Sequence, residues 1–75
     1  MTSSRNVSCR ELVRVAGKLG FVFRRQKGSH AVYKRERDGK RAVIPIHGGR
    51  SVAIGTLRAI LKDMDITPED FERLA

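Results

Sequence analysis

The chain reads as a single α+β domain, residues 1–75: a helix, three antiparallel strands joined by tight turns, a second helix and a short extra C-terminal helix. Three observations predict it. Apolar residues recur at helical spacing in two stretches, one near each end of the chain. Between them lie three runs rich in β-branched and aromatic residues, separated by Lys27-Gly28 and by Glu36-Arg37-Asp38-Gly39-Lys40. And 75 residues support only one small core. Two apolar helix stripes need a common surface. A three-stranded sheet offers one face to them and leaves the other to solvent.

The elements follow in order. Ser8-Cys9-Arg10-Glu11 has the form of a capping box, so a helix should begin there. Leu12, Val13, Ala16 and Leu19 make its apolar stripe, and Gly20 suits a left-handed cap after it, which predicts a helix over 9–19. The first seven residues are expected to be a flexible lead. Phe21 to Gln26 reads as a strand with Phe21 and Phe23 on one face, Ser29 to Arg35 as the second, and Arg41 to Ile46 as the third. Pro45 cannot donate to a ladder, so the third strand should lie at an edge or end. His47-Gly48-Gly49-Arg50-Ser51 is a loop by composition. Ile54, Leu57, Ile60, Leu61 and Met64 then fall at helical spacing, and Thr67-Pro68-Glu69-Asp70 starts a short helix in an acidic extension over 65–75.

Sixteen Lys and Arg against eight Asp and Glu give a net charge of +8. The excess belongs to residues 1–62, which hold fifteen bases and three acids. Such a field attracts polyanions, whereas an anionic membrane would also ask for an amphipathic anchor or a lipid site, and neither is visible. With one cysteine, no signal-like start and no apolar run of membrane length, the expectation is a cytoplasmic protein with no membrane partner. A chain this small also lacks room for a deep cavity, which favours a polymeric substrate on an open face.

Lys27-Gly28-Ser29-His30 stands where the first strand gives way to the second. An imidazole can exchange a proton near neutrality, a glycine lets another backbone approach, and the surrounding cations suit phosphate. Strand alternation puts His30 with Val32 and Lys34 on one face and Ala31 with Tyr33 on the other, so a reactive His30 requires Ala31 and Tyr33 to face the helices. A strand histidine can equally be a plain polar residue, and Gly28 an ordinary turn. His47 is a weaker candidate for a second proton carrier. Cys9, His30 and His47 lie on separate elements and the acids gather in the tail, so no metal and no cofactor are expected.

The order α-β-β-β-α resembles that of the HicA toxins. The likeness rests on the opening helix with Leu12 and Val13, on Gly20-Phe21-Val22, on Lys27-Gly28-Ser29-His30, on Val43-Ile44-Pro45-Ile46-His47, and on Gly55-Thr56-Leu57-Arg58-Ala59-Ile60-Leu61-Lys62. It implies a fold similar to double-stranded-RNA-binding domains, metal-independent cleavage of messenger RNA that halts translation and growth, a catalytic histidine at His30, and neutralisation by a HicB-type antitoxin. Relatives often carry a lysine in the loop before Gly-Thr-Leu, where this chain has Arg50. Arg24, Arg25, Lys27, Gly28, Ser29, Lys34 and Arg50 are the residues expected to hold RNA. DNA by itself is not an expected partner, because it lacks the 2′-hydroxyl that such cleavage uses. The alternative is a non-catalytic RNA-binding module of the same fold.

Overall fold

The structure is a computed structural model and describes residues 6–46 and 51–75. The expectations placed on residues 1–5, on the loop over 47–50 and therefore on His47 and Arg50 lie outside the described residues. The elements are α1 (Cys9–Lys18), β1 (Val22–Lys27), β2 (His30–Lys34), β3 (Arg41–Pro45), α2 (Ile54–Asp63) and α3 (Pro68–Leu74). The strands form one antiparallel sheet in the order β1-β2-β3, which makes this the expected α+β fold with an open three-stranded sheet.

Helix α1 starts as its sequence dictates: the Ser8 hydroxyl accepts a hydrogen bond from the Glu11 N–H at 3.1 Å. It ends one residue short of expectation, with Leu19 as its C-cap. Gly20 adopts φ 94°, and the Phe21 and Gly20 N–H groups donate to the Ala16 and Gly17 carbonyls at 2.9 and 3.1 Å. That closes the helix with the paired bonds of a Schellman cap, for which a glycine in the left-handed region is the natural residue.

Val7 is buried at 3% exposure, and its carbonyl accepts a hydrogen bond from the Val52 N–H at 2.7 Å. The end of the segment expected to be flexible is therefore part of the core, because an apolar side chain there meets the chain returning before α2.

Each strand differs from expectation at its ends. Phe21 precedes β1 and is buried, the first turn is Gly28-Ser29 rather than Lys27-Gly28, and β3 stops at Pro45. Gly28 stands first in a two-residue turn with φ 59°, which a residue carrying a Cβ adopts only with strain. In β1, the register slips between Phe23 and Arg25, leaving Arg24 as an extra residue. That β-bulge puts Phe23 opposite Tyr33 while Arg25 pairs with Val32.

Both major helices rest chiefly on β3. Ala42 and Ile44 of β3 and Ala31 of β2 are buried beneath them, together with Leu12, Val15, Ala16, Leu57, Ile60, Leu61 and Met64. Ile54 heads the expected stripe of α2 but is exposed, because that stripe meets the core only from Leu57 onward. Helix α3 begins with a full capping box between Thr67 and Asp70 and drops Phe71, 2% exposed, into the core. Lys18 of α1 donates to the Leu74 carbonyl at 2.7 Å, which ties the two helices together.

One buried polar residue braces the back of the sheet. Arg35, 6% exposed, donates twice to the Asp38 carboxylate at 3.1 and 3.0 Å and once to the Leu19 carbonyl at 3.0 Å. Its guanidinium also lies 4.6 Å from the centre of the Phe21 ring. The carboxylate thus neutralises the charge, the Leu19 carbonyl accepts a further N–H, and the ring covers one face of the guanidinium.

Candidate active site

Burial of Ala31 and of most of Tyr33 against the helix layer decides which way β2 faces. Ala31 is 1% exposed, and Tyr33 packs on the core with its hydroxyl pKa raised, first by burial and then by Cys9 nearby. Alternation then turns His30, Val32 and Lys34 to the face opposite Ala31, and His30 is exposed. The two neighbouring strands complete the surroundings. Lys27 of β1 and Pro45 of β3 are the cross-strand partners of His30, and Arg25 and Val43 are those of Val32.

His30 lines an open groove of about 360 Å³ together with Val43, Pro45, Ser51, Val52, Ala53 and Thr56. One wall is the sheet; the other is the chain entering α2 and the first turn of that helix. Ala53 caps α2 without any side-chain hydrogen bond, and the first helical bond runs from the Leu57 N–H to the Ala53 carbonyl at 2.8 Å. The N–H groups at 54–56 therefore have no intrahelical acceptor, and the positive end of the helix dipole borders the histidine groove.

The residues expected to hold RNA separate into two groups. Lys27 and Arg25 share the face of His30, and Gly28-Ser29 forms the turn beside it. The Ser29 carbonyl is engaged by the Ile46 N–H at 2.6 Å and the Gly28 carbonyl by the Gln26 side chain at 2.9 Å, which pins this turn to β3 and β1. Lys34 is on the same face but four residues along the strand, about 13 Å away by strand rise. Arg24 is not gathered with the others. As the bulge residue it reaches Glu36 at 3.1 Å, beyond the far end of β2. Among the described residues, no three His, Cys, Asp or Glu side chains gather within reach of one metal ion.

Sequence reasoning did not single out Ser51 and Thr56, the two hydroxyl-bearing residues of the groove. They lie more than twenty positions from His30 in the chain, and only the packing of α2 on β3 brings them to it. A signal for Thr56 existed in the Gly55-Thr56-Leu57 stretch, whose place at a helix start was visible while its neighbour was not.

Fold and site together define a class: a small basic α+β protein that presents a solvent-exposed histidine in an open groove on the uncovered face of its sheet. The family model described as HicA toxin of bacterial toxin-antitoxin matches residues 9–66, and the chain belongs to that family. The matched span ends just before α3. No curated protein matches the chain. No helix among the described residues is long and apolar enough to cross a membrane.

Proposed function

We propose that this toxin is a metal-independent endoribonuclease that cleaves messenger RNA in the cytoplasm, so halting translation and growth, and that a HicB-type antitoxin neutralises it. The observation that carries the reading is the exposed His30 imidazole in an open groove, with Lys27 directly across the strand pair and the uncapped start of α2 on the opposite wall.

The chemistry needs little more than these groups. His30 takes the proton from a 2′-hydroxyl, the freed oxygen attacks the adjacent phosphorus, and the bond to the 5′-oxygen breaks, leaving a 2′,3′-cyclic phosphate. The departing 5′-oxygen takes a proton from solvent water, which the open groove admits, and gives a 5′-hydroxyl end. Negative charge gathers on the non-bridging phosphate oxygens during the attack. Lys27, the N–H groups at the head of α2 and the Thr56 hydroxyl supply positive charge and hydrogen-bond donors beside the histidine. Arg25 and Lys34 lie farther out on the same face and suit phosphates flanking the scissile one. An open groove, rather than a pocket, lets a polymer pass through without threading.

The test is incubation of the purified protein and its His30→Ala variant with single-stranded RNA in excess EDTA, followed by analysis of product ends. Cleavage by the wild type alone, leaving cyclic phosphate and 5′-hydroxyl ends, is the expected result. RNA binding by both proteins with cleavage by neither would replace this reading with the non-catalytic binding module. Equal cleavage by both would remove His30 from the mechanism.

A further inference from the structure

We propose that the outer edge of β1 is a docking edge for an extended, acidic segment of a partner protein, which adds to the sheet as a fourth strand. The strand order leaves one side of β1 without a neighbour among the described residues, and all six of its residues are exposed. A free strand edge presents an unpaired row of backbone donors and acceptors. Six residues offer about 20 Å of such edge, enough for a short strand to pair with. Membership of a toxin–antitoxin family supplies an independent reason for a protein partner to exist.

The side chains specify what that strand should look like. Val22, Arg25 and Lys27 lie on the face of His30, whereas Phe23 and Gln26 lie on the helix side. Neither Arg25 nor Lys27 has an acidic partner among the described residues, because Arg24 alone reaches Glu36. On the helix side Phe23 is 50% exposed, with its ring set edge-on to Tyr33 at 5.7 Å. The helices rest on β3 and leave this ring at the uncovered end of their layer. A matching strand therefore alternates: carboxylates on one side, against Arg25 and Lys27, and apolar side chains on the other, against Phe23.

A second copy of the chain fits badly. Pairing β1 antiparallel with its own twofold mate about the strand centre sets Arg24 of each copy against Arg25 of the other, and like charges across a strand pair repel. The bulge at Arg24 further disfavours a long, flat self-pairing. RNA would satisfy the cations but would leave the backbone edge unpaired. An acidic, alternating protein segment uses the edge, the charges and the ring at once. It would also neutralise Lys27 and Arg25 beside His30 and so displace RNA. That last consequence rests on the ribonuclease reading; the docking itself does not.

The experiment uses the full-length, ¹⁵N-labelled protein and follows its amide shifts and hydrogen exchange without any cleavage assay. Four probes are compared: an acetylated, amidated peptide of three Glu-Val repeats, its Lys-Val counterpart, the Glu-Val peptide N-methylated at alternate residues, and a 2′-methoxy RNA oligonucleotide. The Glu-Val peptide at millimolar concentration should slow exchange of alternate β1 amides by at least about threefold, and the other three should not. The double change Arg25→Glu with Lys27→Glu, at two exposed positions, should transfer this protection to the Lys-Val peptide. Equal effects of the methylated and unmethylated peptides would reduce the contact to simple charge attraction and overturn the proposal. So would protection confined to other elements, no protection, or protection by the RNA mimic alone. Because no probe needs to be cleaved, loss of the ribonuclease reading would leave this result standing.

Discussion

β1 and β3 are the two edges of one sheet, yet they lead different lives. β3 lies beneath both major helices, with Ala42, Ile44 and Pro45 buried, whereas every residue of β1 is exposed. The protein thus keeps its cohesion at one edge and leaves the other open, with β2 between them carrying Ala31 into the core and His30 out of it, into a groove walled by β3 and the start of α2. In a 75-residue chain there is too little core to cover a whole sheet, so one edge strand is packed and the other is left open.

If this division is real, substitutions should fall into two classes. His30→Ala should lower RNA cleavage by a factor of about 100 to 10,000 while leaving the urea unfolding midpoint nearly unchanged, since an exposed side chain is removed. Phe71→Ala should do the reverse in kind. It opens a cavity in the packed region and should cost about 3 to 5 kcal/mol in equilibrium unfolding, a large part of what so small a domain possesses. Phe23→Ala, on the uncovered edge, should cost only about 1 kcal/mol, most of it from the lost contact with Tyr33. A cost of Phe23→Ala equal to that of Phe71→Ala would erase the distinction between the two regions.

The smallest effect concerns the brace behind the sheet. The hydrogen bond from Arg35 holds the Asp38 carboxyl below its ordinary range, with help from the Lys40 backbone N–H. Hydrogen bonds from Thr67 and Arg73 do the same at Asp70. A carboxyl favoured as the anion in the folded state contributes stability above its ordinary pKa of about 4 and loses that contribution as the pH falls through its lowered folded value. Asp38→Asn should therefore melt earlier than the wild type at pH 7. The two melting temperatures should converge as acid is added below about pH 4. Convergence on the alkaline side instead would mean that the carboxylate is not the group responsible.

Much of this was legible in the sequence because the decisive signals are local. Ser8 and Gly20 bracket α1, Gly28 and Gly39 mark the turns, and Thr67-Pro68-Asp70 opens α3, each through its own backbone chemistry. Alternation set Ala31 and Tyr33 opposite His30, while which of the two sides faces out is decided by the burial of Ala31. What escaped depends on residues far apart in the chain. The brace joins Leu19 and Phe21 to Arg35 and Asp38, and nothing in an arginine at the end of a strand announces burial. The groove needs β2 and β3 to meet the start of α2. The exposure of β1 reflects where the helices settle, which apolar spacing within each helix does not reveal.

The bulge in β1 can also be read as arithmetic. In an uninterrupted strand Phe23, Arg25 and Lys27, all odd-numbered, would share a single face. The extra residue at Arg24 changes the parity, so that Phe23 stays on the side of Tyr33 while Arg25 and Lys27 come round to His30. Regular pairing of all six residues, with the bulge straightened out, would force a choice. Either the phenyl ring joins the histidine face, or the two cations leave it. The composition of the histidine face is thus written partly in a count, and a reading frame of side chains can be shifted without altering any of the side chains themselves.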